Sequence, residues 1–235
     1  MSTKVILFDL DGTLIPMDAK VFVGKFTETL GKKLAPSGYD DKLLLKAIWG
    51  GIDAMKKHDG SVKNEEIFRR GFATVLGDIA EDVLALLDEY YRVEFNQVKE
   101  VCGFDSKAAE TVRACKKMGY RVVLATNPVF PSVATENRMR WAGLEPEDFE
   151  FFTVYENSSF CKPNLDYYRE IIDKLGVTAE ECLMVGNDVT EDMVTTELGM
   201  KVFLLTRDLI NKEEKDISVY PQGDYDDLLA FVKEL

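Results

Sequence analysis

The chain has 235 residues and carries 42 acidic against 29 basic side chains, a formal charge of −13. Such a surface repels phosphodiester backbones and argues against a DNA- or RNA-binding role. With 46% hydrophobic and 30% charged residues, and no apolar run near the roughly 18 residues of a membrane span, it reads as an ordinary globular protein of one large domain or two small ones.

Met1-Ser2-Thr3-Lys4 leads into a short apolar run, Val5-Ile6-Leu7-Phe8. It is too short for a signal-peptide core and no cleavage site follows, so a cytoplasmic location is expected. The run predicts a buried strand. Similar runs at 121–125, 151–154, 182–185 and 201–205 predict four more. From the second strand onward they alternate with helical stretches at 106–118, 132–142, 166–175 and 192–198. Each of these is followed by glycine (Gly119, Gly143, Gly176, Gly199), the residue that most readily closes a helix. Strand, helix, glycine, strand is the rhythm of a parallel α/β sheet covered on both faces.

The segment after the first strand breaks this rhythm. It divides into helical pieces at 21–34, 41–57, 64–76 and 79–101. Leu84, Leu87, Tyr91, Phe95 and Val98 fall on one face of the last piece, and Leu44, Ile48, Ile52 and Met55 on one face of the second. A small antiparallel helical bundle inserted after strand one is the simplest reading. Residues 224–235 predict a closing helix.

Cys102, Cys115, Cys161 and Cys182 match neither a zinc nor a redox spacing and read as reduced thiols. The one histidine, His58, ends a polar helix and is expected to be solvated rather than catalytic.

Asp9 ends the first strand, and Gly12 lets the chain turn just beyond it. Ligands of open parallel sheets sit beyond the carboxyl ends of the strands, so Asp9 and Asp11 project where a substrate would lie. Asp-x-Asp-Gly also builds ordinary turns. Two carboxylates this close nonetheless repel unless a cation lies between them or one is protonated. A magnesium ion meets the first condition, with ligands from a carboxylate, a backbone carbonyl and a substrate phosphate. One aspartate could then attack phosphorus, and the other could pass a proton to the leaving oxygen and later take one from water.

The run Asp9-Leu10-Asp11-Gly12-Thr13-Leu14 resembles the hallmark of the haloacid dehalogenase superfamily. That resemblance implies a Rossmann-like parallel core with strand one between two and four, and it assigns further site residues. Thr126, with Asn127, falls at the second-motif position and would bind the phosphoryl group. Lys162, before Pro163, matches the third-motif lysine that offsets the charge of Asp9 and of the phosphoryl group. The fourth motif is Gly186-Asn187-Asp188-Val189-Thr190-Glu191-Asp192, with Asn187 where many relatives have the first acid. The four-residue interval makes Asp188 the expected metal ligand beside Asp9 and Asp11, with Asp192 binding through water or holding Lys162.

The insertion between the first and second motifs resembles that of relatives with a helical cap. This gives a core of residues 1–15 and 103–235 and a cap of 16–102. Arg69, Arg70 and the Trp49-Gly50-Gly51 run are its only marked features. A solvated face and a packed helix kink account for them better than substrate contacts. The expected activity is magnesium-dependent hydrolysis of a small phosphorylated metabolite through an aspartyl-phosphate. A sugar-phosphate mutase or a non-catalytic phosphate-binding module is the alternative. Relatives that act as dehalogenases generally lack the second aspartate, so Asp11 speaks against that activity. Composition leaves monomer and small homo-oligomer equally open.

Overall fold

The computed structural model describes residues 2–235. Strand β1 (Val5–Phe8) lies between β2 (Arg121–Leu124) and β3 (Cys182–Gly186), followed outward by β4 (Lys201–Leu205) and β5 (Gln222–Gly223). All pairings are parallel. Phe8 stands level with Leu124 on one side and Val185 on the other, so Asp9 and the residues that follow β2 and β3 leave the sheet side by side.

The helical insert comprises α1 (Ala19–Leu34), α2 (Asp41–Lys57), α3 (Asn64–Leu76) and α4 (Ala80–Arg92). Asp18 caps α1 by accepting from the Lys20 and Val21 amides, and Asp40 caps α2 through Lys42 and Leu43. These carboxylates satisfy amides that a helix start leaves without partners. Inward faces of the four helices bury Phe22, Phe26, Leu30, Leu44, Phe72, Leu87 and Tyr90. The apolar cluster continues into Ala134, Trp141 and Cys161 from outside the insert. Asn64 adds a polar tie: it is fully buried, its amide donates to the Ser158 carbonyl at 2.9 Å, and its Nδ2 lies 3.3 Å from the carbonyls of Pro128 and Phe160. Each buried aromatic ring contributes about 2 kcal/mol, more than one such hydrogen bond, so the apolar seam dominates this docking.

Beyond the insert come α5 (Ser106–Lys117), α6 (Ser132–Trp141), α7 (Leu165–Leu175) and α8 (Tyr225–Val232). Alternate strand residues face opposite layers. Ile6, Phe8, Val122, Leu124, Leu183 and Val185 pack with Val112 of α5 and Leu228 of α8. Val5, Leu7, Val123, Met184 and Val202 pack with Tyr168 and Ile171 of α7. Among the described residues no helix is long and apolar enough to cross a membrane.

Four sequence expectations change. Residues 151–154 do not form a sheet strand: Phe152 makes one isolated bridge to Leu124, the Thr126 carbonyl beyond it accepts the Thr153 and Tyr167 hydroxyls, and Asn157 closes the outer edge through the Phe152 carbonyl and the Val154 amide. The fifth place in the sheet belongs instead to the two-residue β5. The helix predicted over 79–101 breaks after Arg92 and resumes as a 3-10 helix, Glu94–Val101; residues Met193–Leu198 are likewise 3-10. His58 is not solvated. It is half-buried, with Nε2 2.8 Å from Asn64 Oδ1 and its ring stacked on Phe160 at a centroid distance of 6.3 Å.

Candidate active site

The level ends of β2, β1 and β3 bring residues distant in sequence around one cavity of about 210 Å³. Asp9, Asp11, Thr126, Asn127, Asp188, Glu191 and Asp192 all line it, joined by Met17 and Ala19 at the start of the insert. Asp9 is fixed through both oxygens. Lys162 Nζ donates to Oδ1 at 2.8 Å, and the Thr13 hydroxyl lies 3.0 Å from Oδ2. That hydroxyl is also 3.0 Å from Asn187 Oδ1 and can donate to one of the two at a time. The turn carrying Thr13 depends on Gly12, whose φ is +83° and where a Cβ would lie 2.2 Å from Asn187 Nδ2. No other residue fits there.

Lys162 is buried and also donates to Asp192 Oδ1 at 2.6 Å. Burial opposes its charge, but Asp192 and Asp9 outweigh that and hold the ammonium well above its ordinary range. Burial pushes the Asp192 carboxyl up to about 7, with Lys162 pulling the other way. Asp192 therefore fastens Lys162, and its second oxygen accepts from the Asp188 amide at 3.0 Å. Gly186 admits this arrangement because a Cβ there would lie 2.0 Å from Asp192 Oδ2. Asp188 Oδ1 accepts from the Thr190 and Glu191 amides at 2.8 and 2.9 Å, which fixes the carboxylate in its turn.

Thr126 is buried, and its carbonyl accepts from the hydroxyls of Thr153 and Tyr167 at 2.7 and 2.9 Å. Asn127 donates to Glu191 Oε2 at 3.1 Å, and its own Oδ1 is buried with no partner among the described residues. Two residues of this site did not emerge from the sequence reading. Glu191 sits one position before Asp192, and burial raises its carboxyl. Arg138 of α6 is buried and hydrogen-bonds Asp11 Oδ2. The Asp11 carboxyl is raised by burial, with Arg138 opposing and Asp9 adding to the rise.

The Asp11 carboxylate turns to Arg138, and among the described residues no three acidic, imidazole or thiol side chains form a closed metal cage. A cation still fits the cavity. Five carboxylates line it (Asp9, Asp11, Asp188, Glu191, Asp192), and the cations nearby are Lys162, Arg138 and the exposed Lys212. The donors are hard oxygens, which suit magnesium better than a softer metal.

Arg69 and Arg70 pair with Glu65 and Glu66 on the surface of α3. Trp49 is 41% exposed, and α2 runs unbroken through Gly50 and Gly51. Neither feature reaches the cavity. The four cysteines are free, and burial raises every one of these thiols, Cys115 and Cys161 to about 12.

A parallel sheet with an aspartate ending an inner strand, a buried lysine and an acidic loop after the adjacent strand defines a known class of hydrolase. The chain belongs to the haloacid dehalogenase-like hydrolases, whose family model matches residues 3–195. A similar curated protein, pyrophosphatase PpaX of Bacillus cereus (strain AH820), is 26% identical over 188 residues, 80% of this chain and 76% of its own length. A 2-haloacid dehalogenase from Pseudomonas syringae pv. Tomato DC3000 superimposes with a TM-score of 0.64 at 19% identity, covering 99% of this chain and 98% of that one. A HAD phosphatase from Thermococcus onnurineus gives 0.60 at 18% identity and 98% coverage of both chains. At these identities the two structures bear on the fold alone.

Proposed function

We propose that the protein hydrolyses a small phosphomonoester through an aspartyl-phosphate on Asp9, with magnesium as cofactor. One observation carries the reading: Asp9, held by Lys162 at 2.8 Å, shares its cavity with a second aspartate two residues on. A carboxylate attacks phosphorus slowly unless the charge on the phosphoryl oxygens is offset, and Lys162 supplies a fixed positive charge beside the attacking group. As the Asp9–phosphorus bond forms, the ester oxygen leaves with a proton from Asp11. Water then attacks the same phosphorus, gives a proton to Asp11, and breaks the bond to Asp9, so that phosphate departs and both carboxyls return to their starting states. Thr126 and Asn127 would hold phosphoryl oxygens. The Asp9 and Asp188 carboxylates and the Asp11 main-chain carbonyl would hold magnesium, which when bound supplies charge neutralisation and orients the phosphoryl group. The insert would act as a cap that limits substrate size and keeps out water. Four free, unactivated thiols suit a cytoplasmic setting.

Dehalogenation has no use for a proton donor beside the nucleophile or for a cation-demanding acidic loop. The test is phosphate release from a panel of phosphomonoesters and inorganic pyrophosphate, with magnesium and with EDTA. Magnesium-dependent release from a monoester supports the reading. Tight binding without turnover, interconversion of sugar phosphates without net phosphate, or halide release from 2-haloacids would replace it. Asp188→Ala is expected to raise the magnesium concentration needed for half-maximal activity at least about tenfold. An unchanged requirement would move that role to Asn187 or Glu191.

A further inference from the structure

Arg138 is 1% exposed, one of the largest fully buried side chains in the molecule. Burying a guanidinium costs several kcal/mol unless its partners compensate, and leucine or methionine would fill the same space without that cost. Its hydrogen-bond partners are Asp11 Oδ2 and Thr135 Oγ1, the latter at 3.2 Å, and its guanidinium carbon lies 4.6 Å from the centre of the Phe130 ring. The pair is left incomplete on both sides. Arg138 Nε and Asp11 Oδ1 are each buried without a partner among the described residues.

The helix that carries Arg138 is also the helix that grips the insert. Asn137 Nδ2 donates to the Tyr91 carbonyl at 3.0 Å, and Trp141 Nε1 to Asn96 Oδ1 at 3.1 Å. One rigid element thus seats the insert and fixes the carboxylate beside the nucleophile.

We infer that Arg138 is a positioning residue, which anchors Asp11 through Oδ2 and so sets the place from which that carboxyl exchanges protons with the leaving group and with water. This inference rests on the phosphatase reading for its chemistry. Proton delivery matters for an alkyl leaving group and hardly at all for a p-nitrophenyl one, which departs unprotonated. The two esters therefore separate loss of positioning from general damage.

The experiment compares Arg138→Met, Arg138→Lys, Asp11→Asn and the Arg138→Met/Asp11→Asn pair, on the best alkyl phosphate of the panel and on p-nitrophenyl phosphate. Arg138→Met is expected to lower kcat/KM for the alkyl ester about 100-fold. For the aryl ester, kcat and KM are expected to fall together with kcat/KM little changed, because only the later attack by water is slowed. Arg138→Lys recovers part of the loss, and Arg138→Met adds nothing in the Asp11→Asn background. Equal losses in kcat/KM on both esters, or an undiminished further loss in that background, would overturn the inference. A crystal structure of Arg138→Met, or of Arg138→Lys if the first does not fold, decides placement without turnover. The Asp11 carboxylate is expected to leave its position while Asp9, Lys162 and Asp192 keep theirs, and an unmoved Asp11 in Arg138→Met contradicts the inference. A wild-type enzyme inactive on every phosphomonoester would instead remove the phosphatase reading, with the structural result still standing.

Discussion

Asp9→Asn is expected to lower turnover of every phosphomonoester at least about a thousandfold while leaving the fold intact. The amide oxygen can take the place of Oδ1 and accept from Lys162, while the amide nitrogen in the place of Oδ2 can donate to the Thr13 hydroxyl, which still donates to Asn187 Oδ1, so local hydrogen bonding survives. What disappears is the nucleophile, together with one of the carboxylates crowded around the cavity. Thermal unfolding and circular dichroism should therefore match the wild type. Activity within tenfold of wild type would end the assignment of Asp9 as nucleophile, and collapse of the fold would mean that its charge is structural.

Lys162→Met has the largest expected effect on stability. The substitution removes the ammonium that contacts both Asp9 and Asp192, at 2.8 and 2.6 Å, and leaves both carboxylates buried. Breaking such a buried network costs about 3–5 kcal/mol, which in a chain of this size lowers Tm by roughly 6–20 °C. The sign of its pH dependence follows from Asp192. Burial already pushes this carboxyl up to about 7 with the lysine present, and loss of the lysine raises it further. The folded variant then binds more protons than the unfolded chain at neutral pH, so its stability rises as pH falls from about 8 toward the ordinary carboxylate range near about 4. Urea unfolding in EDTA at pH 8 and pH 5 measures this. A variant as stable as wild type at pH 8, or one that weakens on acidification, would contradict the account. Magnesium should restore part of the loss if it binds the folded state alone.

The parts of the fold that were legible were those whose local signal and global role coincide. Val5–Phe8, Cys182–Gly186 and Lys201–Leu205 are buried on both faces, so their unbroken apolar runs could only be interior strands. Phe151-Phe152-Thr153-Val154 has the same composition, but whether an edge segment pairs along its length depends on competitors for its backbone. The competition falls on the facing segment, where the Thr126 carbonyl is taken by the hydroxyls of Thr153 and Tyr167, and no pattern within the run reveals that. The two-residue β5 has no apolar signature and exists because β4 offers it an edge. The break at Val93 was hidden because Tyr91, Phe95 and Val98 keep facing inward across it, the 3-10 segment carrying on the buried stripe.

At the candidate site, spacing along the chain located the groups that end strands, and the sheet register then brought Asp9, Thr126 and Asp188 around one cavity. Asp192 was legible only as two alternatives, and its 2.6 Å contact shows it holding Lys162. Arg138 carried no signal. It is one basic residue in a helix that also contains Arg140, and its partner Asp11 lies 127 positions away. Only the packing of α6 against the first motif distinguishes the two arginines: Arg138 faces the cavity wall, whereas Arg140 pairs with Glu136 and Glu145 at the surface.

The central claim is that phosphorus passes through Asp9. The most direct measurement uses Asp11→Asn with p-nitrophenyl phosphate and magnesium, quenched in acid at early times and analysed by peptide mass spectrometry. Phosphorylation of the enzyme needs no proton from residue 11 with this ester, whereas the attack by water does. Nitrophenolate is expected in near-equal amount to enzyme, with the mass of one phosphoryl group on the peptide containing Asp9. Nitrophenolate released turnover after turnover with Asp9 unmodified, or a phosphoryl group on another residue, would contradict it.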